Sequence, residues 1–290
     1  MDRRSIIAGA LGVGVAPLLG ACLSAPATAA ASDLDLASLE AGGRLGLFAS
    51  SSLGQVSWRG AERFLYCSTF KAFLAAATLE RVQRGEERLD RPVPVTQADI
   101  VFHAPVTESF VGGAATVERL CQAAVEVSDN TAANLLIREL GGLSAFQAWY
   151  RRVGDDVTRV DRWETALNHP DGDLDTTTPR QTVSNLEAVL VGAEPVLDAE
   201  RRELLAGWMI GSPTGAERIR AGVPAGWTVA HKTGTSGTIH ANDIAIIYPS
   251  GASEILLAIY YEGAEGSSAE QRDAVIAEAT RRALGALGHV

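Results

Sequence analysis

Lysine is nearly absent from this 290-residue chain: of its 25 basic residues, all but Lys71 and Lys232 are arginine. Histidine and cysteine are sparse as well. His103, His169, His231, His240 and His289 form no H-x-x-x-H pair, and Cys22, Cys67 and Cys121 form no C-x-x-C. Without such spacings no protein metal site is expected, and no other cofactor is implied. Basic patches are missing too. The formal charge of −10 argues against a nucleic-acid partner, and nothing suggests docking on an anionic membrane surface. The one apolar stretch near the start, ending at Leu19, is too short and too glycine-rich to span a membrane. What remains is ordinary globular composition, 47% hydrophobic and 21% charged, enough for a substantial core in one large domain or two small ones.

Residues 1–31 read as an export signal rather than as part of the fold. Arg3-Arg4 precedes Ser5-Ile6-Ile7 and the apolar run, the pattern of a twin-arginine signal, so a periplasmic protein is expected. Two processing sites compete. Leu19-Gly20-Ala21-Cys22 resembles a lipoprotein box that would put a lipid anchor on Cys22, and Ala27-Thr28-Ala29 suits ordinary signal peptidase. Either cut removes Asp2, Arg3 and Arg4 and leaves the chain one unit more acidic. Export permits a disulfide between Cys67 and Cys121, and the sequence leaves their pairing open.

Periodicity divides the rest. Arg44 to Ala49 and Gln55 to Arg59, with Ser-Ser-Leu-Gly between them, predict a hairpin. From Ser68 to Arg84 apolar residues recur at helical spacing, and Gly85 is a stop. Further helices are predicted over Thr116–Val127, Asn130–Leu140, Leu143–Arg152, Pro179–Val191 and Asp198–Met209. Trp227–His231, Asp243–Tyr248 and Ile255–Tyr261 are strands rich in Val, Ile and Tyr, and a last helix runs from about Ser268 to Leu287. Strands at both ends with helices between predict an α/β (α+β) fold. Residues 32–66 plus 211–290 would build an antiparallel sheet flanked by helices, and 67–210 an inserted all-α domain containing the loop 162–175. The cleft between the two is the natural site.

The two lysines carry the first chemical argument. Arginine cannot give up its proton inside a protein, whereas a buried lysine can act as a base, so lysine is retained where arginine cannot substitute. Lys71 lies three residues after Ser68 in Ser68-Thr69-Phe70-Lys71, and on a helix that spacing sets amine beside hydroxyl. A serine hydroxyl needs such a base to become a nucleophile, and a helix start aims N–H groups at a developing oxyanion. Lys232 opens Lys232-Thr233-Gly234 on a strand, where ammonium and hydroxyl would hold a substrate carboxylate and the glycine would let substrate lie along the edge. Ser128-Asp129-Asn130 falls between two helices, and Asp129 reads as a helix cap.

S-T-F-K, S-D-N and K-T-G in this order resemble the penicillin-recognising serine enzymes. Arg162-Trp163-Glu164-Thr165-Ala166-Leu167-Asn168 resembles the R-x-E-x-x-L-N loop that distinguishes the class A β-lactamases, with Asp175 closing the loop on Arg162. The resemblance extends to Asn242-Asp243 and the Trp208-Met209 helix. It implies a β-lactamase/transpeptidase-like fold, a monomer, and hydrolysis of penicillins and cephalosporins through a serine acyl-enzyme. By resemblance Ser68 is the nucleophile, Lys71 the acylation base, and Ser128 the proton carrier to the departing ring nitrogen. Asn130 would bind the substrate's side-chain amide, and Glu164 with Asn168 would hold the deacylating water. N–H groups of Ser68 and Thr235 would form the oxyanion hole, while Lys232, Thr233 and Thr235, along Gly234, would take the carboxylate. Arg218 stands where some members carry the carboxylate-binding cation that others place at the position of Ala241, and His103 would flank the cleft mouth.

The chain also departs from the family. The 162–175 loop is a little shorter than its pattern. Cys67 lacks the partner that carbapenem-hydrolysing members place at the position of Ser236, so weak carbapenem turnover is expected; Cys121 likewise faces Ala75. Both thiols are therefore expected free and buried. A D,D-peptidase and a β-lactam sensor share the first three motifs, and the pair Glu164 and Asn168 argues against both.

Overall fold

The structure is a computed structural model and describes residues 31–237 and 239–290. Both processing sites and Cys22 lie outside the described residues. The fold begins with β1 (Ser32–Asp33) and the hairpin of β2 (Arg44–Ser51) and β3 (Gly54–Trp58). A short β4 (Phe64–Leu65) leads into α1 (Phe70–Gln83). Next come β5 (Pro92–Pro94), β6 (Ala114–Thr116), α2 (Val117–Glu126), α3 (Asn130–Leu140) and α4 (Leu143–Arg152). A long loop ends at β7 (Thr176–Thr177), followed by α5 (Pro179–Leu186), α6 (Ala199–Gly211) and the single turn α7 (Ile219–Gly222). The strands β8 (Thr228–Ser236), β9 (His240–Tyr248) and β10 (Ile255–Glu262) precede the last helix, α8 (Ala269–Ala286).

The main sheet draws on both ends of the chain, in the order β1-β3-β2-β10-β9-β8. All pairs are antiparallel except the two-residue β1, which runs parallel to β3. Side chains alternate across a strand, so Ile244 and Ile246 point to one face of β9 and Ala245 and Ile247 to the other, and both faces are buried. The first face packs on a large core with α1 to α6, the second on α8 and Ile219 of α7. Burial on both sides explains why these strands read as unbroken apolar runs.

The predicted helices are present, with two differences at their ends. The segment from Ser68 begins as a 3-10 turn (Cys67–Thr69), and α-helix starts only at Phe70. The helix from Pro179 widens into a π turn over Glu187–Val191. The helix α1 is also more buried than an amphipathic pattern implies: every residue from Phe70 to Leu79 is buried, and Ala72, Ala75, Ala76 and Ala77 keep its girth small enough for neighbours on all sides. Cys67 and Cys121 are free and buried.

Asp129 caps α3 as expected and does more. Its carboxylate, fully buried, accepts from Ala132 N at 2.8 Å, Val106 N at 3.0 Å, Thr107 N at 2.9 Å and Thr107 Oγ1 at 2.8 Å. It thereby ties the 102–107 segment to the start of α3. Asp129→Ala would strand these buried donors at a cost of about 3 kcal/mol. The expected fall in Tm is about 6–12 °C by thermal denaturation, and a fall no larger than that of an exposed-site substitution would refute the role.

Candidate active site

Three backbone segments meet at Ser68. The turn that carries it presses on β8 so closely that a Cβ on Gly234 would lie 2.8 Å from Tyr66 O and 3.1 Å from Cys67 Cβ. Glycine is thus required there by the turn beneath the strand, a reason distinct from the substrate edge inferred from sequence. Ser128 turns the chain between α2 and α3 at φ 61°, and Cys67 and His103 also hold positive φ, at 47° and 62°. Non-glycine residues keep such conformations only where their surroundings enforce them.

Lys71 is fully buried and reaches the serine turn, the Ser128 corner, the start of α3 and the loop of Glu164. Its ammonium donates to Ser68 Oγ at 3.0 Å, to Ser128 O at 2.9 Å and to Asn130 Oδ1. Glu164 Oε1 is 2.9 Å from the same nitrogen, and neither side chain is exposed. The other carboxylate oxygen accepts from Asn168 Nδ2 at 2.6 Å. Glu164 Oε1, although in charge contact with Lys71, receives no aligned hydrogen bond, and neither does the buried Asn168 Oδ1. Asn168 Oδ1 thus has no protein partner and Glu164 Oε1 has only the Lys71 ammonium, in a class of atom that is nearly always satisfied.

The loop bearing Glu164 is held at both ends. Arg162 Nε donates to Asp175 Oδ2 at 2.6 Å, the closure expected from sequence. Asn134 then grips Glu164 itself: Glu164 N donates to Asn134 Oδ1 at 3.0 Å, and Asn134 Nδ2 donates to Glu164 O at 2.8 Å. Sequence reasoning missed Asn134. Its signal was the four-residue spacing from Asn130, which puts both amides on one face of α3. Ser236 Oγ donates to Asn168 O, fastening the loop to β8.

Lys232 is the second buried ammonium. It donates to Ser128 Oγ at 3.1 Å and to Thr233 O at 2.8 Å, and among the described residues no carboxylate lies within salt-bridge distance of it. Burial, and secondarily the charge of Lys71, hold it well below the usual lysine range. Arg218 is not the surface arginine that abundance alone would suggest. It is 8% exposed; Nε donates to Asp273 at 2.7 Å, Nη1 to Gly234 O and Asn242 O, and Nη2 to Thr235 Oγ1 at 2.9 Å. Thr233 Oγ1 shares a hydrogen bond with Thr214 Oγ1 at 2.9 Å, a neighbour the sequence did not flag.

A cleft of about 1020 Å³ opens beside these groups. Ser68, Ser128, Asn130, Asn168, Thr233 and Thr235 all reach it. His103 lies at its rim with Nε2 on Val127 O at 2.9 Å, next to Phe102, which is 84% exposed. Asn130 spends one amide hydrogen on Phe102 O. Arg218 lines the cleft as well, whereas Lys71, Glu164 and Lys232 meet it only through their contacts with Ser68, Asn168 and Ser128. Cys67 lies within hydrogen-bond reach of Ser236, and burial raises the thiol's pKa and keeps it protonated.

A family model described as the beta-lactamase enzyme family matches residues 32–287. An ancestral class A β-lactamase of known structure superposes with a TM-score of 0.83 at 46% identity, covering 87% of this chain and 98% of that one. The chain belongs to the class A β-lactamase family. β-Lactamase AST-1 of Nocardia asteroides is 40% identical over 99% of this chain and 96% of its own. The carbapenem-hydrolysing β-lactamase KPC of Klebsiella oxytoca is 42% identical over 85% of each. A class A β-lactamase structure from Mycobacterium abscessus has a TM-score of 0.82 at 44% identity, covering 87% of this chain and 97% of that one.

A buried ammonium with no carboxylate at salt-bridge distance among the described residues, next to a guanidinium and two threonine hydroxyls, is suited to an anion, and an anion in turn favours the charged amine. Binding should therefore weaken as pH climbs through the lowered pKa of Lys232. The KM for benzylpenicillin is expected to rise with pH well below the ordinary lysine value of 10.5. In Lys232→Arg the cation persists at high pH, so this alkaline limb should vanish. An identical limb in the variant would assign it to another group.

Proposed function

We propose that the enzyme opens the β-lactam ring of penicillins and cephalosporins through an acyl-enzyme on Ser68, and so confers β-lactam resistance. In acylation Ser68 Oγ attacks the ring carbonyl and Lys71, in its neutral amine form, takes its proton. The C–N bond then breaks, and Ser128, between the two lysines, passes a proton to the leaving nitrogen. The oxyanion would be met by the N–H groups of Ser68 and Thr235. Lys232, Thr233, Thr235 and Arg218 would hold the carboxylate along Gly234, and Asn130 the side-chain amide, with His103 at the mouth. In deacylation Glu164 takes a proton from a water held with Asn168; the water attacks the ester and Ser68 Oγ leaves as the hydroxyl.

The observation that carries this reading is the pair of acceptors Glu164 Oε1, which has only the Lys71 ammonium, and Asn168 Oδ1, which has no protein partner. A water donating to both would satisfy them and face the ester. A sensor, which stays acylated, has no use for such a pair. In the same reading residues 32–66 with 211–290 form the sheet domain and 67–210 the helical one. The mature protein is a monomer exported to the periplasm, soluble or lipid-anchored at Cys22.

Two substitutions test the division of labour. Glu164→Gln cannot accept the proton, and deacylation should slow about 10²–10⁴-fold. Intact-protein mass spectrometry with benzylpenicillin should show an adduct of the drug's full mass on the Ser68 peptide. Turnover at the parent rate would remove Glu164 from the role. Lys71→Arg keeps the charge and loses the base, so acylation should nearly stop and no adduct accumulate; rapid adduct formation in this variant would show that Lys71 is not the base.

A further inference from the structure

Tyr66 belongs to none of the sequence motifs, yet it joins the nucleophile turn to the catalytic loop. It lies two residues before Ser68 and is 2% exposed. Its ring packs against Phe70 with centroids 5.5 Å apart, which fixes the direction of the phenol. The hydroxyl donates to Asp175 Oδ1 at 3.0 Å, and Tyr66 N donates to Asp175 O at 3.2 Å. At its other end Tyr66 O accepts from Thr69 Oγ1 at 2.8 Å and from Asn242 Nδ2 at 3.3 Å. Burial, and next the charge of Asp175, keep the phenol protonated and therefore a donor.

Asp175 is the closure of the 162–175 loop. Fully buried and at φ 54°, its carboxylate also accepts from Asp161 N at 2.9 Å, Arg162 N at 3.0 Å and Arg162 Nε at 2.6 Å. Three of the four donors belong to the loop or its edge and hold it closed on itself. Of the four donors to this carboxylate, only Tyr66 comes from the segment bearing Ser68, where the backbone pairing of Leu65 with Thr176 runs beside it. Other side-chain links between the loop and the rest of the protein are Lys71 on Glu164, Asn134 on the Glu164 backbone, Ser236 on Asn168 O and Arg63 on Asp173.

We propose that Tyr66 is a positioning residue for deacylation: its hydroxyl sets the distance between the serine turn and the loop that carries Glu164. The proposal rests on the reading of Glu164 as the deacylating base. Acylation depends on Lys71 and Ser128, which Tyr66 does not hold, so the two steps should separate. Tyr66→Phe leaves the ring, the backbone bonds and the three loop donors to Asp175 in place.

The test is stopped-flow kinetics with benzylpenicillin, together with hydrogen exchange of the 162–175 peptides. Loss of one buried hydrogen bond to a carboxylate should slow deacylation about tenfold and leave acylation within about twofold. Then kcat and KM fall together, kcat/KM stays near the parent value, adduct accumulates, and exchange in the loop rises. Tyr66→Leu, also without the hydroxyl, should give the same split. A folded variant of either kind with unchanged kcat and KM and only a lower Tm overturns the proposal, as does an equal loss in both steps. If Glu164→Gln traps adduct while Tyr66→Phe does not slow deacylation, the Tyr66 role alone fails. If Glu164→Gln turns over at the parent rate, both readings fall.

Discussion

An ammonium with no exposed surface must find oxygen on every side, because leaving it unpaired in a low dielectric is costly. Lys71 finds it on four stretches of chain: the serine turn, the Ser128 corner, the start of α3 and the 162–175 loop. Each contact satisfies the charge and also fixes the position of the group that provides it. Glu164 gains its own ionic partner from the same contact, and its side chain is equally buried. The site is therefore held together by its own reactive groups, and much of the surrounding structure consists of braces that keep those four stretches in place.

The braces are polar and buried. Asp129 pins the 102–107 segment to α3, Asn134 holds the backbone of Glu164, and Asp175 closes the loop on Arg162 and meets Tyr66. Each satisfies several backbone donors or acceptors that would otherwise be stranded, which is why short polar residues recur in a region enclosed by apolar helices. The second ammonium obeys a different logic. Among the described residues Lys232 has hydroxyl and carbonyl oxygens but no carboxylate at salt-bridge distance. One buried lysine is ion-paired and the other is not, and the proposed roles of proton acceptor and anion holder rest on this difference.

Much of this was legible beforehand. The helices and strands followed from period and β-branched content, and the flank-and-insert arrangement from the order of elements. The errors were at ends: the 3-10 turn before α1 and the π turn after α5. Such local winding depends on what the chain packs against, and periodicity does not report it. The motif residues were legible because chemistry restricts their type, with lysine kept at two positions in a chain that otherwise uses arginine.

Residue type and spacing by themselves determined the fold class, and the resemblance of the motifs the family and the candidate reactive groups, since each is legible in short-range pattern: i to i+3 on a helix, alternation on a strand, a base beside a hydroxyl. Only the tertiary structure decided which groups are partnered. Asn134, Tyr66, Thr214 and Asp273 look ordinary in sequence. They matter because a fold brings them against Glu164, Asp175, Thr233 and Arg218. Glycine at position 234 was legible as a motif letter, but its reason, a carbonyl 2.8 Å from where a Cβ would stand, is a fact about two segments far apart in the chain. Burial, charge balance and unsatisfied acceptors are sums over neighbours in space, and those neighbours exist only once the chain has folded.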